Sequence, residues 1–449
     1  MGDLKMRGQF IVKHMSSFQI IILGFLAVIL IGTLLLSLPA ASAERIWTPA
    51  ADSLFTATSA VCVTGLVIRD TATYWSVFGQ IVILILIQIG GLGIVSVTAM
   101  IAAASGRKIS LLQRSMLQET LSANQVGGLV KLLGFIYKAV LITELAGAVV
   151  MLPSFCSAFG VEGIWLAVFH SVSAFCNAGF DLMGGKTGAF SSLTSFAGNV
   201  GIVVPVCLLI VIGGIGFLTW EDIAVHRFHF RKYRMQSKAI LTATAVLILV
   251  PALIFFFVDF AMFGMKERIC LSIFQSITPR TAGFNTADLS SMSSAGISLT
   301  IVLMLIGGSP GSTAGGMKTT TAAVLFANSA AAIRRRKSSR LFGRRIDEQT
   351  VRNAATLLML YLSLSLTGAY MISVIEDIPF SKCLFETASA IGTVGLSLGI
   401  TPIIGPISRL ILIVLMFLGR VGGLTLIYAA INSKGTEVAQ VPFEKISVG

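Results

Sequence analysis

The chain has 449 residues, of which 55% are hydrophobic and only 12% are charged, and its formal net charge is +13. This composition leaves too little polar surface for a water-soluble globule and predicts a membrane protein that crosses the bilayer several times. The cations lie in short runs between apolar segments. This distribution indicates topological charge and argues against a nucleic-acid partner.

Long apolar runs bounded by turn and charge signals predict eight membrane-spanning helices. They lie near residues 18–38, 76–104, 130–152, 197–220, 238–262, 297–332, 351–375 and 406–431. The first run ends in an Ala-Ser-Ala sequence that resembles a signal-peptidase site. We interpret it as the first span, because it is longer than the ~7–15 apolar residues of a signal peptide.

Positive charge predicts the orientation of these spans. Lys5, Arg7 and Lys13 precede the first span, and further cations gather near 105–131, near 221–238 and in "IRRRKSSRLFGRR" at 333–345. The intervening loops carry few or mixed charges. The positive-inside rule places the four cationic segments, and with them both termini, in the cytoplasm.

Cysteine and histidine usage argues against a metal site or an enzyme. Six cysteines lie in or beside apolar segments without metal-like spacing, which indicates buried small side chains and no transition-metal site. There are only four histidines, and no His–Glu or Asp–Asp pair falls within the spans. An intramembrane enzyme would need such a constellation, so it is a remote alternative.

Four segments of about ten moderately apolar residues lie between the paired spans. They read "LFTATSAVCVTGL" from Leu54, "VFHSVSAFCNAGF" from Val168, "IFQSITPRTAGF" from Ile273 and "LFETASAIGTVGL" from Leu384. Each is too short to cross the bilayer and too apolar for an exposed loop, which is typical of a re-entrant segment. The interval from the shared Phe to the shared Gly is 10, 10, 9 and 10 residues.

The second helices also align, through "IGGLG" at Ile89, "IGGIG" at Ile212, "IGGSPG" at Ile306 and "LGRVGG" at Leu418. The four units thus agree both in the short apolar segment and in the second helix, and this agreement predicts a fourfold repeat of helix, pore loop and helix. We therefore expect an all-α, potassium-channel-like membrane protein with eight transmembrane helices and four re-entrant pore segments around a pseudo-fourfold axis. The predicted repeats are residues 1–105, 106–225, 226–335 and 336–431, followed by a cytoplasmic tail at 432–449.

Such an axis would bring Gly65, Gly179, Gly283 and Gly395 into one ring, together with the carbonyl groups that precede them. Carbonyl oxygens can replace the hydration shell of a cation without a full negative charge, so that the ion binds and still leaves. Glycine readily adopts the backbone angles that this requires. The short helix before each loop would direct its partially negative C-terminus toward the pore.

With these motifs, the chain resembles the superfamily of Trk, Ktr and HKT potassium transporters over nearly its whole length, and it is most like KtrB, the membrane subunit of Ktr systems. The resemblance implies a K⁺ selectivity filter formed by Val63, Thr64, Gly65, Asn177, Ala178, Gly179, Thr281, Ala282, Gly283, Thr393, Val394 and Gly395. Plant relatives with Ser at the position of Gly65 transport sodium, so Gly65 implies K⁺ selectivity. Only the fourth copy reads TVG, which implies weaker discrimination than in true potassium channels.

The segment "GGSPGSTAGGMKTTT" at 307–321 interrupts the second helix of the third repeat. Pro310 removes a backbone donor, and free backbone groups must face water or protein. A packing kink is one interpretation. The resemblance implies an intramembrane loop at 307–317 whose gate comprises Gly311, Ser312, Thr313, Ala314, Gly315 and Gly316.

Arg420 lies about 20 Å along the eighth span, at 1.5 Å per residue. A cation at that depth is costly unless it faces an aqueous cavity or a partner. Arg420 could still be a topological charge at the inner end of the helix. We favour a pore barrier below the filter.

The resemblance also implies how the chain works in the cell. It predicts K⁺ as substrate, Na⁺ as activator, a membrane homodimer, and a prokaryotic plasma membrane as location. The chain carries no nucleotide motif, so ATP or ADP would bind to a cytosolic KtrA-like ring of the RCK/KTN type. A carrier that couples K⁺ or Na⁺ to another ion is the main alternative.

Overall fold

The computed structural model describes residues 16–105, 111–121, 128–227 and 229–422. The cations that precede the first predicted span, Arg107, Lys108, the end of the eighth predicted span and the tail at 432–449 lie outside these residues. The described chain is almost entirely helical, with one short hairpin.

The helices follow one another in the order of the predicted repeats. The first repeat contains α1 (Ser17–Ser37), α2 (Ala50–Val61), α3 (Thr71–Tyr74), α4 (Val77–Leu92) and α5 (Ile94–Ala104). The second contains α6 (Leu111–Leu121), α7 (Leu129–Phe159), α8 (Glu162–Phe175), α9 (Gly184–Thr187), α10 (Val200–Gly214) and α11 (Phe217–His226).

In the second half of the chain, each unit again has a long helix followed by a short one, and a hairpin precedes the last long helix. The third repeat contains α12 (Met235–Val258), α13 (Met265–Ile277), α14 (Ser294–Leu305) and α15 (Thr319–Ile333). The fourth contains strands β1 (Arg340–Leu341) and β2 (Arg344–Arg345), then α16 (Glu348–Glu376), α17 (Phe380–Gly392) and α18 (Pro406–Val421). Short 3-10 turns occupy Pro39–Ala41, Thr194–Phe196, Phe230–Lys232 and Leu289–Ser291.

Within the described residues, four helices are long and apolar enough to cross a membrane, namely α1, α7, α12 and α16. The bent pairs α4–α5 and α10–α11 raise this number to six if each pair is one span. In each of these four helices, only 22–33% of the residues in an apolar stretch of 18 residues are buried. Most residues of that stretch therefore face outward, as lipid contact requires. The arrangement of eight spans with four pore loops stays a prediction.

Two of the predicted continuous helices, 76–104 and 197–220, are instead sharply bent. The first bends by 94° at Gly93 and the second by 97° at Gly216. Both glycines have positive φ, +84° and +88°, which a helix interior does not allow. The sequence predicts one long helix in each region, and the structure divides each at the last glycine of the aligned IGGxG motif.

The short helices α2, α8, α13 and α17 form the centre of the molecule. Each packs against the long helix that precedes it, namely α1, α7, α12 and α16. The aligned phenylalanines of the four predicted segments are at most 1% exposed; they are Phe55, Phe169, Phe274 and Phe385. This shared packing holds the four short helices around one region and sets the position of the loops that follow them.

Candidate ion pathway

Four glycines at the ends of the loops after α2, α8, α13 and α17 lie in a closed ring. All have positive φ, at +89°, +67°, +81° and +94° in chain order. A Cβ added to each glycine would lie too close to a carbonyl oxygen of the next repeat. The distances from that Cβ are 2.4 Å to Ala178 O for Gly65, 2.7 Å to Ala282 O for Gly179, 2.3 Å to Val394 O for Gly283 and 2.2 Å to Thr64 O for Gly395. The fourth repeat thus returns to the first, and no side chain fits at any of the four positions.

The residue two positions before each glycine also has positive φ. These residues are Val63 at +56°, Asn177 at +58°, Thr281 at +73° and Thr393 at +49°. A left-handed conformation is uncommon for residues with a side chain and concentrates at functional sites. Because the sign of φ alternates along each loop, successive carbonyl groups can point to the same side.

Hydroxyl side chains of the short helices hold the loops in two different ways. In the first and fourth repeats, Ser59 Oγ accepts from Gly65 N at 3.1 Å and Ser389 Oγ accepts from Gly395 N at 3.0 Å. In the second and third repeats the hydroxyl donates instead, from Ser173 to Phe180 O and from Thr278 to Phe284 O, both at 2.7 Å. The sequence motifs did not reveal the role of these four residues, although each hydroxyl lies five or six positions before its glycine.

The Glu386 side chain stabilises the segment that follows the fourth loop. Its carboxylate is fully buried and accepts hydrogen bonds from Ser397 Oγ at 2.6 Å, Leu398 N at 3.0 Å and Thr401 Oγ1 at 2.6 Å. Hydrogen bonds to an ionised acceptor are stronger than neutral ones. Glu386 therefore fixes the segment that follows Gly395.

The residues aligned with Glu386 reproduce little of this support. Thr56 donates to Asp52 O and His170 Nδ1 is paired with Leu166 O, both within their own helices. His170 Nε2 also accepts from Leu182 N at 3.5 Å, a long counterpart of the bond from Leu398 N to Glu386. Gln275 donates to Thr300 at 3.4 Å. The carboxylate support is therefore specific to the fourth loop among these four positions.

Four polar side-chain oxygens within the loops are fully buried and have no hydrogen-bond partner in the described part of the chain. They are Thr64 Oγ1, Asn177 Oδ1, Thr281 Oγ1 and Thr393 Oγ1. A buried polar atom without a partner costs free energy unless a ligand or water satisfies it. Oxygen atoms are the ligands that hard cations prefer, so this set fits a partly hydrated cation.

A vestibule of about 360 Å³ opens on one side of the glycine ring and is lined by Asp70 and Asp181. Asp70 accepts from Ala72 N, Thr73 N and Phe190 N, which orders the loops of the first and second repeats around the opening. Burial raises the pKa of Asp181 to about 6; the hydrogen bond from Met183 N opposes this rise and the nearby Asp70 adds to it. Two carboxyl groups at the opening favour entry of cations.

A second cavity, of about 430 Å³, lies on the other side of the ring and is lined by the segment between α14 and α15. Thr313 Oγ1 donates to Phe175 O at 3.0 Å, and Asn177 Nδ2 donates to Thr313 Oγ1 at 2.9 Å. A Cβ on Gly315 would lie 2.1 Å from Thr393 Oγ1. The predicted gate segment, 311–316, therefore lies directly against the loops of the second and fourth repeats.

Two cations contact the carbonyl groups of this segment. Arg420 donates to Thr313 O and also to Gly90 O and Gly91 O of the first repeat, the last at 3.1 Å. Lys318 Nζ donates to Ala314 O at 2.8 Å. Neither side chain has an ion-pair partner among the described residues, and backbone carbonyl groups accept the hydrogen bonds of both.

The structure brings the predicted site residues together. The twelve residues predicted as a filter lie in the four loops of the glycine ring, and the segment 311–316 and Arg420 lie beneath them. The sequence motifs do not reveal the residues whose side chains hydrogen-bond to the loops of the ring, above all Ser59, Ser389 and Glu386.

Comparison with known proteins agrees with this architecture. The family model described as "TrkH: Cation transport protein" matches residues 5–437. The chain is 40% identical to the potassium/sodium uptake protein NtpJ of Enterococcus hirae, over 97% of this chain and 98% of that protein. It is 35% identical to the Ktr system potassium uptake protein B of Bacillus subtilis, over 94% of each chain.

A solved structure supports the same fold. The potassium transporter TrkH from Vibrio parahaemolyticus matches with a TM-score of 0.70, over 91% of this chain and 85% of that chain. The two sequences are 19% identical, so this likeness concerns the fold alone.

Proposed function

The chain belongs to the TrkH family of cation transport proteins, and we propose that it carries K⁺ into the cell as the ion-translocating subunit of a Ktr-type uptake system. The closed ring of four glycines is the observation that carries this proposal. Relatives that cover almost the whole chain are named for potassium uptake, and one of them for potassium and sodium uptake. The family consists of transporters, which removes the support for an intramembrane enzyme.

In this proposal the backbone carbonyl groups of the twelve loop residues coordinate K⁺. Stacked carbonyl oxygens replace water around the ion, and the unpaired hydroxyls of Thr64, Thr281 and Thr393 add further oxygen atoms. The ion would enter through the vestibule with Asp70 and Asp181, where negative charge raises the local cation concentration.

The segment 311–316 acts as the gate in this proposal. It lies between the ring and the second cavity and is held by Arg420 and Lys318 through carbonyl groups. Arg420 also serves as an electrostatic barrier, since an unpaired guanidinium beneath the ring repels a cation that leaves it. Opening requires the segment to leave its contacts with Phe175, Asn177 and Arg420.

Regulation comes from outside the chain in this proposal. We infer a membrane homodimer on a cytosolic KtrA-like ring of the RCK/KTN type that binds ATP or ADP, with Na⁺ as activator. The Ktr naming of two relatives from Bacillus subtilis supports a system of several subunits. Both termini would lie in the cytoplasm of a prokaryotic cell, on the side of the cationic loops.

An ion-coupled carrier is the second candidate, because the relative from Enterococcus hirae is named for both potassium and sodium uptake. A channel-like pathway and a carrier differ in whether K⁺ flux requires a gradient of the second ion. In proteoliposomes, K⁺ flux that persists without Na⁺ or a pH gradient supports the channel-like pathway. Flux that stops when either gradient is removed supports the carrier.

The proposed function is tested by growth of a bacterium deficient in K⁺ uptake at micromolar to low millimolar K⁺. The chain is expressed with and without a KtrA-type partner, in media with and without Na⁺. Rescue that depends on the partner and increases with Na⁺ supports the proposal in full. Failure in every combination, with the protein present in the membrane, would contradict K⁺ uptake.

A further inference from the structure

A groove on the outer side of the molecule lies between α12 and α15, away from the ion pathway. Its volume is about 490 Å³, within the usual range of ~300–1,000 Å³ for ligand sites. The walls are small and apolar, with Ala243 and Val246 on α12 and Ala323 and Ala327 on α15. Phe326 forms part of the rim and is 76% exposed, so the groove opens outward, beside a helix, α12, that is long and apolar enough to cross a membrane.

One end of the groove is strongly cationic. Arg334, Arg336 and Arg340 line it, and all three are exposed without an ion-pair partner in the described ranges. Leu341 and Phe342 of the β1–β2 hairpin complete this end. The Phe342 ring packs edge-on against Phe230 at 6.4 Å, which holds the hairpin beside the groove.

The positive-inside rule explains an excess of cations in this loop, but it does not explain their placement. Arg335, Lys337 and Arg344 belong to the same loop and do not line the groove, whereas three other arginines converge on it. An apolar channel beside α12 that ends in arginines without ion-pair partners among the described residues is complementary to an acyl chain joined to a phosphate. Basic pockets between helices on the cytoplasmic side bind anionic lipid headgroups.

We propose that this groove binds an anionic phospholipid of the cytoplasmic leaflet. One acyl chain lies between α12 and α15, and the phosphate contacts Arg334, Arg336 and Arg340. The bidentate geometry of the guanidinium group suits phosphate oxygens. A zwitterionic lipid has the same acyl chain without the net negative charge, so it binds more weakly.

The site would also influence the gate, a consequence that rests on the proposed function. Lys318 directly precedes α15 and donates to Ala314 O within the segment 311–316. A lipid wedged between α12 and α15 fixes the position of α15 and therefore of Lys318. Loss of the lipid is expected to change K⁺ flux without altering the glycine ring.

The test measures binding directly. The purified full-length protein is titrated with phosphatidylglycerol or phosphatidylcholine and followed by native mass spectrometry. The triple variant R334Q/R336Q/R340Q is compared with R335Q/K337Q/R344Q, which removes the same charge from the same loop. Each cation near an anionic headgroup strengthens binding about fivefold, so the first variant should lose about a hundredfold in phosphatidylglycerol affinity. The second should stay within about fivefold of wild type.

A second variant tests the acyl-chain half of the site without a change of charge. Ala323→Leu with Ala327→Leu fills the groove and should displace phosphatidylglycerol while all arginines remain; size-exclusion chromatography and Tm establish that it folds. Equal loss in both charge variants would mean general electrostatic attraction and would overturn the proposal. Lipid binding at the wild-type level in the filled variant would also overturn it. Loss of the dimer with unchanged lipid binding would do the same, because that result would assign the groove to a second copy of the chain. Because binding is measured without transport, failure of K⁺ uptake leaves this test intact.

Discussion

The guanidinium of Arg409 lies 3.1 Å from the carboxylate of Asp52 and joins the last repeat of the chain to the first. The second carboxylate oxygen of Asp52 contacts Arg69 at 3.0 Å. Asp52 is 5% exposed and lies in the first turn of α2, where a negative charge also suits the helix N-terminus. The buried carboxylate of Asp52 therefore links the last repeat to the first, two segments that are far apart in the sequence.

Replacement of Asp52 by Asn should destabilise the protein by about 1.5 kcal/mol, because it removes a buried anion shared by two arginines that are themselves partly exposed. Thermal unfolding in detergent measures the change. The matched control is Glu348→Gln, whose exposed ion pairs with Arg345 and Arg352 at 3.7 and 4.0 Å should contribute under about 0.5 kcal/mol. Equal Tm values for the two variants would show that Asp52 does not stabilise the link between the last repeat and the first.

Replacement of Glu386 by Gln should lower the K⁺ over Na⁺ preference severalfold. The loss of charge weakens the bonds to Ser397, Leu398 and Thr401, by about 1 kcal/mol or more in total, and loosens the loop after Gly395. Relative K⁺ and Na⁺ flux in proteoliposomes is the measurement. Glu376→Gln is the control, since Glu376 makes similar bonds to Gly405 N and Ser408 Oγ away from the glycine ring. An unchanged ratio in the Glu386 variant would remove its role in the loop.

Deletion of residues 311–316 should raise K⁺ flux and uncouple it from the cytosolic partner. The deletion removes the contacts of Thr313 with Phe175 and Asn177 and opens the space below the ring. Flux is measured with and without the partner and its nucleotide. A variant that folds and stays as tightly regulated as wild type would show that this segment is not the gate.

Replacement of Arg420 by Ala should increase the maximal rate of K⁺ transport, because it removes both a charge and the bond to Thr313 O. Arg420→Lys separates these two effects. Lysine keeps the charge but cannot reach Thr313, Gly90 and Gly91 together. A slow Lys variant indicates a charge barrier, and a fast one indicates a tether. Unchanged kinetics in Arg420→Ala would exclude both roles.

The sequence predicts where the repeated segments lie, but not the backbone conformation within them or the contacts between distant residues. The repeated Phe and Gly positions located the four short segments, because each repeat packs the same way around the centre. The bends at Gly93 and Gly216 were missed, since a uniformly apolar run does not reveal the sign of φ. The pair of Asp52 and Arg409 was also missed, because it joins residues 357 positions apart. The two ways in which Ser59 and Ser173 hold their loops depend on backbone geometry that similar sequence motifs conceal.

The central claim is that the glycine ring selects K⁺, and the most direct measurement is the ratio of K⁺ to Na⁺ flux for Gly65→Ser in proteoliposomes. Gly65 has a φ of +89°, and a Cβ would lie 2.4 Å from Ala178 O, so a serine must distort the ring. Gly160→Ser is the control, because Gly160 also has positive φ, at +60°, but nothing lies within 4 Å of its Cβ position. We expect the wild type and the control to prefer K⁺, and Gly65→Ser to lose about tenfold in that preference, equivalent to ~1.4 kcal/mol. The same ratio in all three proteins would contradict a filter at this ring.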